Sequence, residues 1–294
     1  MEAIQDLADI HQMVTRLFKL PKSSEEWDQY RLSKEQLSYF QEYGYISGIK
    51  LLNEDQVEIL RQELAEIVDP KHPAHELFYE FHSNESEDPN SVLFHSLGHW
   101  RIAPGFHDVL FNPAFLMAAH QLLENKPVRF WHDQLFCKPA MHGGVVAWHQ
   151  DYSYWTRTIA MQHLTCWTGL DDATTANGCL HYIPKSHKWG LLDAPSLSGD
   201  MDGLMHYLSE KQKKEFNPIP IALQSGYATF HHPLMVHGSY ENKSAMSRRA
   251  FVLNVFADGT LSNTNDELLA GVPPIAKGNK IEGKFFPLLF EGIQ

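Results

Sequence analysis

Two patterns of apolar residues divide the chain. In the first third they recur at helical spacing. Ser33 opens a Ser-x-x-Gln capping box ahead of Leu37, Phe40 and Tyr43, and Gly44 ends that segment. Asn53 with Gln56 caps the next, whose Val57, Leu60, Leu64, Ile67 and Val68 form one stripe closed by Pro70. Asn112-Pro113 starts a third, with Phe115, Leu116, Ala119, Leu122 and Leu123 facing inward. From about residue 128 the pattern becomes short runs rich in aromatic and branched residues, separated by Gly, Pro, Asn and Ser. Strands are expected over 128–138, 145–149, 162–170, 179–183, 218–223, 226–231 and 248–257. Strands at this spacing suggest a sandwich or jelly-roll barrel. Helices first and strands later disfavour a doubly wound α/β fold.

The expected fold is mainly β with flanking helices, in a single domain over 1–294. It divides into a helical N-terminal region (residues 1–127), a β-core of about 128–257 and a C-terminal extension (residues 258–294). Residues 70–105 fit no element. They are polar, carry His72, His75, His82, His95 and His99, and read as a lid or binding loop.

Composition bounds the function. Hydrophobic residues make up 43% and charged residues 20% of 294 residues, ordinary for a globular protein. The net charge of −12 argues against nucleic acid or an anionic membrane as partner and leaves a small-molecule substrate. No apolar run reaches the length of a membrane span, and the opening residues, with Asp6 and Asp9, lack a secretory pattern. The three cysteines, Cys137, Cys166 and Cys179, form no C-x-x-C pair, so a reduced, cytoplasmic setting is expected.

The candidate chemistry is a metal. His149-x-Asp151 ends a strand, and alternate residues there share a face. With 18 His in the chain, such a tripeptide is expected about once by chance, so the motif alone could be a strand-end histidine bonded to its neighbour. His237 and Arg248 add to it. Two imidazoles and one carboxylate suit Fe(II) and leave coordination positions open. Arg248 opens the apolar run Ala250–Phe256, and a charge at the head of a buried strand needs a partner, such as the far carboxylate of a 2-oxo acid. Arg249 competes with it, but alternation turns only one of the two inward. His232 is the one rival to His237. His142, His163, His181, His187 and His231 read as structural or surface residues, although His163 and Arg157 could approach a substrate.

Four stretches carry a resemblance: Trp148-His149-Gln150-Asp151 with Tyr154-Trp155; Cys166-Trp167-Thr168; Asn177-Gly178-Cys179-Leu180 with Ile183-Pro184-Lys185-Ser186-His187; and His237-Gly238-Ser239 leading to Arg248. Their order and spacing resemble the phytanoyl-CoA dioxygenase family, the 2-oxoglutarate-dependent group that includes ectoine hydroxylase. The resemblance implies a double-stranded β-helix (jelly-roll, cupin-like) core. It implies His149, Asp151 and His237 as Fe(II) ligands. It also implies 2-oxoglutarate held at its C5 carboxylate by Arg248 beside Ser239, with Trp167 and Gln134 lining that site, and O2 as the oxidant. Trp155 is similar to the Trp of ectoine hydroxylase's metal motif, and Tyr152 and Tyr154 could line the substrate side. Relatives that halogenate lose the carboxylate ligand; Asp151 is present, which implies hydroxylation. Two other readings stay open: a redox-neutral metalloenzyme, such as an isomerase or hydrolase, and a non-catalytic relative. The substrate choice is expected to lie in residues 70–105 and around Tyr152 and Tyr154.

Overall fold

The computed structural model describes residues 5–86, 88–193 and 200–293. The helices begin where side chains satisfy their first free N–H groups. Ser23 caps α1 (Ser24–Asp28), and full capping boxes at Ser33 and Asn53 open α2 (Lys34–Tyr43) and α3 (Glu54–Ile67). Gly44, at φ 85°, ends α2 in the left-handed conformation that glycine adopts without strain. Pro104 and Pro113 occupy the first turns of α4 (Pro104–Val109) and α5 (Pro113–Leu122), and α6 (Glu210–Glu215) is short and exposed.

In chain order the strands are β1 (Tyr45–Lys50), β2 (Glu80–His82), β3 (Phe94–Leu97), β4 (Val128–Lys138), β5 (Val146–His149), β6 (Thr158–Ile159), β7 (His163–Gly169), β8 (Leu180–Tyr182), β9 (Ile219–Ile221), β10 (Tyr227–His231), β11 (His237–Ser239), β12 (Arg248–Ala257), β13 (Leu261–Ser262) and β14 (Leu288–Phe290). The major sheet runs β1-β10-β7-β12-β4-β3-β2, with β14 also on β4; the minor sheet runs β5-β11-β8-β9. All these pairings are antiparallel. The two sheets form the expected jelly roll, a double-stranded β-helix.

The patterning predicts a helical N-terminal region over 1–127; the structure corrects this. The region supplies β1, β2 and β3 to the major sheet, so the β-core reaches beyond 128–257. Residues 70–105, read as a lid or loop, contain β2 and β3. Their order comes from pairing, β3 on β4 and β2 on β3, rather than from local pattern.

The outer face of the major sheet is closed by helices. Leu60, Leu64, Phe106, Phe115 and Leu116 share one apolar cluster with Phe130, Leu135, Cys166, Phe230, Phe251 and Leu253. The inner face is polar in part and meets the minor sheet. On β12, Arg248 and Val252 line the space between the sheets, while Phe251, Leu253 and Val255 join the outer cluster. A register shift opposite Asn254 and Val255 leaves Trp131 unpaired in the β12–β4 ladder, a β-bulge. The bulge lets the successive residues Trp131 and His132 both face that space. Among the described residues, no helix is long and apolar enough to cross a membrane.

Candidate active site

A cavity of about 470 Å³ opens between the sheets, and His149, Asp151 and His237 stand on its wall. His149 ends β5 and lies opposite His237, the first residue of β11. Extended geometry continues one residue past β5, with Gln150 at φ −115° and ψ 133°. Gln150 therefore turns away, and its amide bonds the Gly190 and Leu234 carbonyls and the Leu192 N–H. Asp151 comes back to the side of His149. Its Oδ1 lies 3.5 Å from Nε2 of His149 and 3.7 Å from Nε2 of His237. One donor atom from each of the three lies within 4.8 Å of the others.

Both imidazoles are oriented by the same device. Nδ1–H of His149 donates to the Ala147 carbonyl at 2.7 Å, and Nδ1–H of His237 to the Met235 carbonyl at 3.0 Å. Each Nε2 then carries a lone pair aimed at the shared space. Burial and the neighbouring His149 hold His237 well below its ordinary pKa, hence neutral. Burial alone would raise the Asp151 carboxyl, but His237, His149 and His231 outweigh it and hold it well below the usual range. One anion and two neutral nitrogens on one side of an open space suit a divalent iron rather than a closed structural zinc.

The same cavity holds a buried cation. Arg248 is 1% exposed, and its guanidinium lies 5.4 Å from the Trp167 ring centre. Its Nη2 donates to Ser239 Oγ at 3.3 Å; Nε and Nη1 have no partner among the described residues. Burial lowers its pKa to about 10. Lys138, opposite Arg248 on β4, is fully buried and donates to the Ser239 and Tyr240 carbonyls and to Ser239 Oγ. Gly178, at φ 79°, lets the backbone pass beside Tyr240, where a Cβ would collide with the Tyr240 carbonyl; its own carbonyl accepts from Ser239 Oγ at 3.0 Å. Lys138 does not line the cavity, its donors are taken by Ser239 and Tyr240, and burial beside Arg248 pushes its pKa well down. The receptor for an anion is the Arg248 guanidinium, whose N–H groups unfilled among the described residues suit a carboxylate. The residues present thus fit both Fe(II) and 2-oxoglutarate. Arg249 points the other way, where Asp171 accepts from its Nε at 2.9 Å and its Nη2 at 2.7 Å.

The remaining expected residues divide. Trp167, Gln134, Tyr154 and Trp155 line the cavity, and Gln134 Oε1 accepts from Asn254 at 3.1 Å. Tyr152 does not line it; its hydroxyl donates to the Thr158 carbonyl at 2.7 Å. His163 lies behind Trp155, ring centres 5.4 Å apart, and Arg157 stands at the rim and donates to the Glu267 carbonyl at 2.8 Å. His232 packs on His187, outside the cavity.

Several residues escaped the sequence reading. Thr165 Oγ donates to Oδ2 of Asp151 at 2.6 Å, and His231 Nε2 meets the same oxygen at 2.9 Å. Glu80, His95 and Leu97 line the cavity from the former loop region, and Glu267, Leu268, Leu269 and Ala270 from the C-terminal segment. Strand parity could have nominated His231, but not which sheet face meets the metal.

The phytanoyl-CoA dioxygenase (PhyH) family model matches residues 40–250, well over half of the chain. The chain belongs to the phytanoyl-CoA dioxygenase family. Among curated members, the phytanoyl-CoA dioxygenase of Arabidopsis thaliana is 27% identical over 254 residues, covering 76% of this chain and 88% of that protein. A probable phytanoyl-CoA dioxygenase of Caenorhabditis elegans is 26% identical over 258 residues, covering 80% and 79%. Solved structures share the phytanoyl-CoA dioxygenase fold at lower identity. The α-ketoglutarate-dependent carbocyclase SnoK from nogalamycin biosynthesis aligns with TM-score 0.71 and 21% identity, covering 92% of this chain and 100% of its own. EctD from S. alaskensis, solved with 2-oxoglutarate and 5-hydroxyectoine, aligns with TM-score 0.66 and 18% identity, covering 90% and 92%.

Burial beside the site has a measurable consequence. Desolvation lowers the fully buried His132 to about 4 and His163 to about 3. Both folded values lie below the unfolded value of about 6.5. Their contribution is therefore fully present above about pH 6.5 and lost as pH falls toward 4 and 3. At pH 5 each imidazole costs the metal-free protein ~2 kcal/mol of stability. Thermal melts should be flat from pH 8 to 7 and fall steadily below 6.5; a melting temperature unchanged between pH 7 and 5 would contradict this.

Proposed function

We propose that this protein is an Fe(II)- and 2-oxoglutarate-dependent dioxygenase that hydroxylates an unactivated C–H bond of a compact small molecule. The observation that carries the reading is one cavity holding both His149, Asp151 and His237 and the Arg248 guanidinium, whose Nε and Nη1 have no partner among the described residues. In this reading His149, Asp151 and His237 hold the iron. Arg248 takes the C5 carboxylate of 2-oxoglutarate over the face of Trp167, with Ser239 beside it and Gln134 on the neighbouring wall. Iron bound there would supply O2 activation coupled to oxidative decarboxylation of 2-oxoglutarate. The balance is R–H, 2-oxoglutarate and O2 giving R–OH, succinate and CO2. Trp131, Tyr154, Trp155, Leu268 and Leu269 wall the substrate side and exclude water from the reacting bond.

The reaction is tested by supplying 18O2 with Fe(II), 2-oxoglutarate and a panel of metabolites. Succinate formation with one labelled oxygen in the product is expected. Labelled succinate with no label in the converted metabolite would replace hydroxylation by another 2-oxoglutarate-coupled outcome, such as cyclisation or epimerisation. No dependence of turnover on 2-oxoglutarate would support a redox-neutral metalloenzyme.

The cavity also bears on substrate class. Its volume lies toward the lower end for small-molecule sites and is shared with 2-oxoglutarate. Glu80 and Glu267 stand on its wall, with Arg157 the one rim cation among the described residues, in a chain of net charge −12. This potential opposes the phosphates of an acyl-CoA and favours a neutral or cationic compound. Phytanoyl-CoA should therefore release succinate no faster than the substrate-free background; efficient coupled turnover with it would sink this assignment.

A further inference from the structure

Thr165 and His231 are cross-strand partners on β7 and β10 of the major sheet. Asp151 follows β5 of the minor sheet. Both major-sheet side chains reach across and meet the same oxygen, Oδ2 of Asp151, at 2.6 Å and 2.9 Å. The other oxygen, Oδ1, faces His149 and His237. His231 is itself fixed: it is 1% exposed, and its Nδ1 lies 2.9 Å from the hydroxyl of Tyr182. The Asp151 carboxylate can only accept, so Nε2–H of His231 is the donor to Oδ2, and Nδ1 is left to the Tyr182 hydroxyl.

We propose that His231 is a positioning residue for the metal site: with Thr165 it occupies Oδ2 of Asp151 and confines the carboxylate to coordination through Oδ1 alone. The inference rests on the metal-site reading above. A carboxylate free to rotate can chelate a cation through both oxygens, as hard-cation sites commonly do. Chelation here would take one of the positions that cosubstrate and O2 require. Two donors on Oδ2 remove that option, and they come from the sheet that also carries Arg248, so the metal and the cosubstrate anchor share one rigid frame.

The test uses the full chain loaded with Mn(II), whose effect on water-proton relaxation reports exchangeable waters on the ion. His231→Phe keeps an aromatic ring and removes the donor. It should keep the circular dichroism spectrum of the parent, lose roughly one exchangeable water per Mn(II), and change Mn(II) affinity about tenfold. His231→Gln, which restores an N–H donor, should return the relaxation toward the parent value. Thr165→Val removes the second donor at constant volume and should shift relaxation in the same direction; it decides the matter should His231→Phe not fold. Parent-like relaxation in the folded donor-deleted variant overturns the proposal, even if affinity or activity changes. Parent protein that binds no Mn(II), or binding that survives Asp151→Ala, instead overturns the metal-site reading itself.

Discussion

Asp151→Ala should abolish iron-dependent succinate release, by more than about a thousandfold, while leaving the fold intact. Asp151 supplies the one negative charge among the three residues that could hold the ion. Without it, His149 and His237 present two neutral nitrogens, and a divalent cation buried between two sheets loses the charge that offsets its dehydration. The loss should appear first in binding: the purified variant should retain little iron by elemental analysis, and added Fe(II) should not restore turnover. The backbone is fixed by other residues. Gln150 ties the turn through three hydrogen bonds, and His149 and His237 are anchored at Nδ1. Circular dichroism of the metal-free variant should therefore match the parent. Normal turnover by this variant would place the chemistry elsewhere.

Arg248→Met should divide affinity from stability. In the cosubstrate complex the guanidinium would make a buried, charge-assisted pair with the C5 carboxylate. Deleting one member of such a pair costs about 2–5 kcal/mol, so KM for 2-oxoglutarate should rise by ~30-fold or more. Metal binding should be unaffected. The metal-free variant should melt at or above the parent temperature, because the parent buries an arginine with two N–H-bearing atoms unpartnered among the described residues. Adding 2-oxoglutarate with Mn(II) should raise the melting temperature of the parent and not of the variant. An unchanged KM would remove Arg248 from the cosubstrate site.

Much of this arrangement was legible in the sequence where the signal is local. The long strands 128–138 and 248–257 were bounded as they stand, because their aromatic and branched residues are flanked by turn residues. Capping boxes placed the starts of α2 and α3. Alternation correctly held that only one of Arg248 and Arg249 turns inward. What failed was non-local. β2 and β3 are short and carry polar residues such as Glu80, His82, His95 and Ser96, and they become strands only as β3 pairs with β4 and β2 with β3. His231 sits beside His232 and before Pro233, and sequence cannot say which of the two imidazoles enters the site. Tyr152 was expected beside Tyr154 in the cavity, but the chain passes into a 3-10 turn after Gln150, where residues two apart no longer share a face as they would on a strand. Leu268–Ala270 carry no periodic signal at all; they matter because the chain returns to the cavity mouth.

That return has a consequence for how such enzymes diversify. The residues proposed here for iron and cosubstrate, His149, Asp151, His237 and Arg248, all lie inside residues 40–250, the span matched by the family model. Some of the remaining wall, Glu267 through Ala270, lies outside that span. Inheritance of the reaction and inheritance of selectivity are thereby uncoupled: one stretch of chain can drift, or be exchanged, while the reactive apparatus stays unaltered. Swapping residues 263–271 between relatives should transfer preference among substrates while preserving the 2-oxoglutarate requirement, which makes this segment the natural first site for redirecting the enzyme by directed evolution.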